Sequence, residues 1–264
     1  MQEKISKYLI IIFITTLFLP FSVLAQEKQI HDIGEYFSKK EKAIFEHALE
    51  YQDAFFNKIF PAVTVDFSEI SISVVTDIKD DEMKHMQKKS SGYYSSFDRE
   101  LVILKTEKLK HSFMETTFHE LSHALLHLYS GSHFDQIHPW LNEGLAVYLA
   151  RITYRSKKKI HKKNDYLIAR VKTLIELHDL DIVGFVSWNH QKFTRESFSQ
   201  EGYGYAVGYC MTLFLMNKDE KSAYSLFRSL IEDDMSTTEV FDKYYNGGFS
   251  QFEKDFIKFF SSIR

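Results

Sequence analysis

Apolar residues recur at helical spacing along most of the chain, each time beside a charged or polar face. This pattern is typical of amphipathic helices that pack one side against a core. The helices that it predicts cover residues 35–60, 112–129, 139–152, 164–178, 202–216, 220–233, 237–245 and 250–261. The second half of the chain is therefore expected to be mainly helical.

Shorter stretches of β-branched or alternating residues predict a few strands. These strands cover residues 63–65, 70–75, 93–97 and 101–104, the last two as a hairpin. We expect an α+β fold, in which a mixed α/β part at about 26–130 precedes a helical part at about 131–264. No low-complexity linker separates the two parts, which indicates a single domain.

Two segments lack the spacing of a regular element. Residues 179–200, which include Trp188, are expected to form a loop. The run 155–163 contains six Lys or Arg residues and no acidic residue, and such a run is usually a solvated loop or helix end. Binding of an anionic partner to this run is the alternative.

Composition narrows the classes of function. The chain has 264 residues, is 44% hydrophobic and 26% charged, and carries a formal net charge of -3, so it can bury a core of ordinary size. A nucleic-acid-binding protein normally shows a strong basic excess, and this chain has none. Cys210 is the only cysteine, which excludes a disulfide within the chain and a metal site built from several cysteines.

The N-terminal residues resemble a secretory signal peptide. Two lysines precede an apolar run at 8–19, and Ala25 ends a short stretch suited to cleavage. We expect residues 1–25 to be removed and the rest of the chain to lie outside the cytoplasm, in the periplasm or the medium. The apolar run of about 12 residues is shorter than the ~20 that span a bilayer, so no stable membrane span is expected, although an uncleaved anchor is the alternative.

The most informative stretch contains His119, Glu120 and His123 in the spacing His-Glu-x-x-His. On a helix the two imidazoles lie one turn apart on the same face and can converge on one metal ion. Glu120 then lies beside the first ligand, where a carboxylate can act on a metal-bound water. This spacing is the signature of zinc-dependent hydrolases.

A catalytic zinc ion usually takes three protein ligands and leaves one position for water. The downstream candidates for the third ligand are His127, His133, Asp135, His138 and Glu143. The strongest candidate lies on the next predicted helix, inside Trp-Leu-Asn-Glu-Gly, where a mostly apolar flank argues against a merely solvated charge. A glutamate favoured by the helix N-terminus is the alternative for that position.

Together, His119-Glu120-x-x-His123 and Glu143 resemble the gluzincin group of zinc metallopeptidases, in particular the peptidase MA-like domains of secreted bacterial proteins. The resemblance is tight over about 112–150. It implies a zincin-like fold, one Zn²⁺ per chain bound by the two histidines and Glu143, and Glu120 as the general base. The metzincin pattern does not fit, since it requires a glycine and a third histidine where this chain has Leu126 and Tyr129.

The resemblance also points to a tyrosine that stabilises the oxyanion of the transition state. Relatives carry a Tyr-x-x-small-Tyr pattern that Tyr205, Gly208 and Tyr209 match, which makes Tyr205 the candidate. An aromatic packing role is the alternative. The strand at 101–104 is expected to be an ordinary core strand, and pairing with an extended substrate is the alternative role.

The hypothesis that follows is a secreted zinc metallopeptidase that hydrolyses peptide bonds in a peptide or protein substrate through a zinc-activated water, with Glu120 as base. One alternative is a catalytically silent relative that only binds a partner. Another is a zinc amide hydrolase that acts on a non-protein substrate. A third takes the helix pair as ordinary and the histidines as incidental, and it predicts no stoichiometric metal.

Overall fold

The elements of the structure follow the hydrophobic pattern closely. A computed structural model describes residues 36–75, 91–105, 113–155, 158–161, 164–199 and 202–263, and within these ranges the chain forms ten α-helices and two small sheets. The helices are α1 (Lys39–Ile59), α2 (Phe113–Ser130), α3 (Pro139–Ala150), α4 (Asp165–Glu176), α5 (Ile182–Val186), α6 (His190–Ser199), α7 (Tyr203–Lys218), α8 (Glu220–Glu232), α9 (Thr237–Tyr244) and α10 (Gly248–Ser262). The strands are β1 (Ser71–Val75), β2 (Gly92–Ser95), β3 (Glu100–Leu104), β4 (Ile152–Arg155) and β5 (Lys158–His161).

The eight helices predicted from spacing are confirmed to within a few residues at each end. Their boundaries are encoded locally. Ser38 and Glu41 form a reciprocal capping box at the start of α1, and Ser236 and Glu239 do the same for α9, which satisfies backbone N–H groups that have no partner inside the helix. Gly131, with a φ of 54°, follows the last residue of α2. The coarse prediction of an α+β fold is confirmed.

The prediction of a loop at 179–200 is wrong, because α5 and α6 both lie there. The Asp181 side chain accepts a hydrogen bond from the Gly184 backbone N–H at 2.8 Å and begins α5. The Asn189 side chain accepts one from the Lys192 N–H at 2.9 Å at the start of α6. Helix α5 has only five residues, and α6 buries only Phe193 and Ser197, so neither shows a clear helical period of apolar residues.

The first sheet is mixed and has the strand order β1–β3–β2. Strand β1 runs parallel to β3, with Ser71 opposite Glu100, and β2 runs antiparallel to it, with Gly92 opposite Ile103. The hairpin prediction is therefore confirmed, as is the strand at 70–75. The prediction of a strand at 63–65 is wrong. The Val63 N–H donates to the Phe60 carbonyl in a turn, and the segment pairs with no described strand.

The described part of the basic run lies in a two-stranded ribbon that follows α3. Strands β4 and β5 pair antiparallel, with Ile152 opposite His161 and Arg155 opposite Lys158. The backbone is thus extended at Arg155 and at Lys158–His161, where the prediction of a loop or helix end is wrong, and the other residues of the run lie outside the described residues. The run alternates too little between apolar and polar residues to show a strand period.

One continuous hydrophobic cluster includes buried side chains from α1 through α10. Helix α3 lies at its centre, packed against α2 on one side and α7 on the other. The Trp140 indole N–H on α3 donates to Thr237 Oγ1 at 3.1 Å and links this helix to α9. Because α3 is held on both sides, its side chains are fixed relative to those of α2 and α7.

In the part of the chain that the structure describes, no helix is long and apolar enough to cross a membrane. The predicted signal peptide at 1–25 lies outside the described residues.

Candidate metal centre

Helix α2 carries the two predicted histidine ligands on one face. His119 and His123 are one helical turn apart, and their Nε2 atoms lie 3.2 Å from each other. His123 is buried, with 8% of its surface exposed, while the His119 side chain is 23% exposed. The two nitrogens therefore converge on one point at the edge of the core.

Glu143 approaches the same point from α3. Its Oε2 atom lies 3.3 Å from His119 Nε2 and 3.7 Å from His123 Nε2. This oxygen is buried and has no hydrogen-bond partner among the described residues. Burial works to raise the pKa of Glu143, but the nearby His123 and His119 outweigh that effect and lower it, so the carboxylate is ionised at neutral pH.

These three groups could hold a metal ion. Their ligand atoms all lie within 4.8 Å of one another, and they are the only such cluster of His, Cys, Asp or Glu in the described ranges. A buried carboxylate oxygen without a hydrogen bond is costly, and a cation at this point would satisfy it.

The other candidates for a third ligand lie elsewhere. The His127 Nδ1 atom is 2.7 Å from the Tyr94 hydroxyl, and its ring packs against Phe134. His133 and Asp135 lie on the short 3₁₀ turn after α2, and His138 is the N-cap residue of α3. None of them belongs to the cluster of potential metal ligands.

Asn142 is a site residue that the sequence analysis did not identify. Its Oδ1 atom lies 2.7 Å from His123 Nδ1, and because an amide oxygen can only accept, this imidazole nitrogen must carry the proton. The lone pair of His123 is then on Nε2, the nitrogen that faces His119 and Glu143. The signal was present in the sequence, since Asn142 directly precedes Glu143 on α3.

Glu120 lies beside the three potential ligands and is almost fully buried, with 8% exposure. Burial raises the pKa of Glu120 to about 7, and the Glu143 charge adds to this effect, while His123 and the Tyr94 backbone N–H oppose it. A carboxyl group with a pKa near neutrality can both accept and return a proton at physiological pH. The structure thus places the predicted base next to the predicted ligands.

A cavity of about 770 Å³ opens over the cluster, and its wall includes His119, Glu120, His123, Glu143 and Tyr205. All five residues predicted for the site therefore share one space. The volume lies in the range of ordinary ligand-binding sites.

Tyr205, near the start of α7, lines this cavity and also packs edge to face on Phe193, with ring centroids 5.5 Å apart. The charge of Glu143, burial and the charge of Glu120 together raise the pKa of Tyr205. The hydroxyl therefore keeps its proton at neutral pH and can donate a hydrogen bond.

The strand beside the cavity is β2 rather than the one considered from sequence. Residues 101–104 belong to β3, which is the central strand and pairs with β1 and β2 on its two sides. A substrate cannot add to a strand whose two edges are occupied, so 101–104 forms an ordinary core strand, as favoured from sequence, and the alternative of substrate pairing is ruled out. Gly92, Tyr93 and Tyr94 on the edge strand β2 line the cavity instead.

The chain was also compared with known proteins. A scan against protein-family models finds no match, and a search of curated proteins finds none either. The function of this centre is therefore inferred from its own residues.

Proposed function

We propose that this chain is a zinc-dependent metallopeptidase, similar to the gluzincin group, that acts outside the cytoplasm on peptide or protein substrates. His119, His123 and Glu143 hold the zinc ion in this proposal, and Glu120 is the general base. The observation that carries it is the convergence of three ligand atoms beside a buried carboxyl group in one open cavity.

The spacing of the three ligand atoms favours zinc. Tetrahedral ligands at 2.0–2.1 Å from zinc lie about 3.3–3.4 Å apart. The three atoms are separated by 3.2, 3.3 and 3.7 Å, which is close to that value. Two imidazoles and one carboxylate suit zinc, whereas calcium and magnesium prefer sites made of oxygen atoms.

A zinc ion held by these residues would act as a Lewis acid, which polarises a carbonyl group and lowers the pKa of water. The residues of the chain perform the remaining steps. Glu120 takes a proton from the attacking water and returns it to the leaving amine. Asn142 holds the His123 ring in the orientation that points Nε2 at the centre, and such supporting hydrogen bonds tune metal ligands.

Tyr205 donates its hydroxyl hydrogen bond to the oxygen that gains negative charge during hydrolysis. This role is supported by the position of the side chain, which lines the same cavity as Glu120 and Glu143, and a tyrosine hydroxyl carries a proton to donate at neutral pH. A donor that is positioned before the reaction costs no reorganisation during it.

Aromatic side chains on the cavity wall suit a peptide substrate. Tyr93 and Tyr94 of β2 line the cavity. Exposed aromatic rings of Tyr166 and Phe198 line the same cavity and offer apolar contact.

The direct test compares hydrolysis of an unfolded protein pool by the purified, zinc-loaded wild type and Glu120→Gln. We expect the wild type to cleave the pool and the variant to lose at least about 100-fold of that activity while it keeps zinc. Glu46→Gln, which removes an exposed carboxylate on α1, is the matched control and should cleave like the wild type. Retained zinc without Glu120-dependent cleavage would instead support a binding protein.

A further inference from the structure

The cavity contains an ion pair that the proposed reaction does not use. Arg151, the C-cap residue of α3, places Nη2 2.8 Å from the Oε1 atom of Glu115 on α2. Both side chains line the cavity, and they are 24% and 29% exposed. Arg151 is the only Lys or Arg among the described residues of the cavity wall.

We propose that Arg151 is a specificity residue, which binds a carboxylate of the substrate a few residues away from the cleaved bond. This proposal rests on the proposed peptidase function and names the class of substrate: peptides that carry an acidic side chain or a free C-terminal carboxylate. A planar guanidinium carries five N–H donors and binds a carboxylate through two parallel N–H groups. The ion pair with Glu115 engages Nη2, so the same guanidinium can bind a second carboxylate through its other N–H groups.

The position of the ion pair predicts how far the substrate carboxylate lies from the cleaved bond. Glu115 precedes His119 by one turn of α2, a rise of about 6 Å, and Arg151 follows Glu143 by eight residues of α3, a rise of about 12 Å. An extended peptide advances about 3.3 Å per residue. The substrate carboxylate therefore lies about two to four residues from the bond that the metal centre cleaves.

The charges on the wall favour this position for a second anion. The described lining carries three carboxylates, those of Glu115, Glu120 and Glu143, and two of these belong to the metal centre. Away from that centre, Arg151 is the one Lys or Arg on the described wall. Because Glu115 competes for the guanidinium, it weakens rather than creates the anion site.

The test uses peptides that differ only in their carboxylates. In the first series, each amidated peptide carries either Glu or Gln at one position, and that position varies up to four residues on either side of the cleaved bond. In the second series, a neutral peptide ends in a free carboxylate or an amide. We expect the zinc-loaded wild type to prefer the carboxylate member of one series, and the series concerned identifies acidic side chains or C-termini as the source.

The variants assign that preference to Arg151. We expect Arg151→Gln to reduce the ratio of kcat/KM between the carboxylate peptide and its neutral partner by about 10- to 100-fold, mainly through KM. Glu115→Gln should increase the same ratio. The control Arg195→Gln removes an exposed arginine that is also paired with a glutamate, and it should keep the wild-type ratio.

Two results would overturn the proposal: a wild type that does not distinguish the peptides of either series, or an Arg151→Gln variant that loses activity equally on all of them. If Arg151→Gln fails to fold, Glu115→Gln decides the question: a higher ratio supports the proposal, and an unchanged ratio overturns it. Fluorescence anisotropy of the same labelled peptides with Glu120→Gln measures binding without hydrolysis, and so tests this proposal separately from the proposed reaction. If binding depends on Arg151 but the wild type hydrolyses none of the peptides, only the peptidase function is refuted.

Discussion

Gly144 and Gly208 bring the backbones of α3 and α7 into direct contact. A Cβ atom at Gly144 would lie 2.5 Å from the Gly208 carbonyl oxygen, and one at Gly208 would lie 2.7 Å from the Trp140 carbonyl oxygen. Neither position has room for any other residue. Glu143 directly precedes one of these glycines, and Tyr205 lies one turn before the other, so this contact fixes the distance between a potential metal ligand and the proposed oxyanion donor.

We predict that Gly144→Ala and Gly208→Ala each destabilise the protein by about 1–3 kcal/mol. The clash is with backbone atoms, so a change of rotamer cannot relieve it and the two helices must separate. Chemical denaturation measures the loss of stability. The control Gly131→Ala places a methyl group where no atom lies within 4 Å; its cost comes from the positive φ alone and should be smaller. Equal losses for all three variants would contradict the close packing of α3 on α7.

The hydrogen bond between His123 and Asn142 predicts a difference between two substitutions. Asn142→Ala removes the acceptor at 2.7 Å and should weaken zinc binding by about 10- to 100-fold, as expected when a metal-bound histidine loses its supporting partner. Asn142→Asp keeps an acceptor and should bind zinc within a few-fold of the wild type. Competition with a fluorescent chelator measures both affinities, and identical affinities for the two variants would refute the supporting role.

Tyr205→Phe should lower kcat by about 100-fold or more, because it removes one donor from the developing oxyanion. Zinc affinity and KM should change little, since the ring still packs on Phe193. Tyr203→Phe is the matched control: this neighbouring tyrosine is buried against Trp188 and is not among the described residues of the cavity wall. Steady-state kinetics of both variants test the assignment, and an unchanged kcat for Tyr205→Phe would leave the residue a packing role only.

The hydrogen bonds of Asp255 on α10 predict how the stability of the protein depends on pH. Hydrogen bonds from Lys218, Tyr245 and Gln251 lower the pKa of Asp255 from its usual 3.8 to about 2. A carboxyl whose pKa falls on folding stabilises the native state above pH 3.8, and that contribution disappears as the pH falls toward 2. The group is near the surface, so the effect should be no more than about 1 kcal/mol.

Urea unfolding of the wild type and Asp255→Asn between about pH 6 and pH 2.5 measures this contribution. The difference in free energy of unfolding between them should be largest at about pH 5–6 and shrink below about pH 4. A difference that stays constant over this range would show that Asp255 does not act through its charge.

The helices and two of the three potential metal ligands could be predicted from sequence because both depend on short-range spacing. His119, Glu120 and His123 lie on one helix, so the 3.6-residue period alone places them together. The convergence of Glu143 depends on how α2 packs against α3. The apolar flank of that glutamate indicates a buried role, but no spacing along a single helix fixes its position.

The incorrect predictions concern elements whose partners are distant or whose length is short. The β-branched residues at 63–65 favour a strand, but a strand forms only where a neighbour is available to pair. The ion pair of Arg151 and Glu115 escapes sequence analysis for a similar reason, because its two residues are 36 positions apart on different helices. Only the crossing of α2 and α3 brings them into one cavity.

The central claim is that His119, His123 and Glu143 bind one zinc ion. The most direct measurement is the zinc content of the purified wild type and of Glu143→Ala by elemental analysis, combined with thermal unfolding before and after chelation. We predict one zinc per wild-type chain, a lower Tm after chelation, and little zinc bound to Glu143→Ala at the same free zinc concentration. A wild type without stoichiometric zinc, or zinc retained equally by Glu143→Ala, would contradict the account.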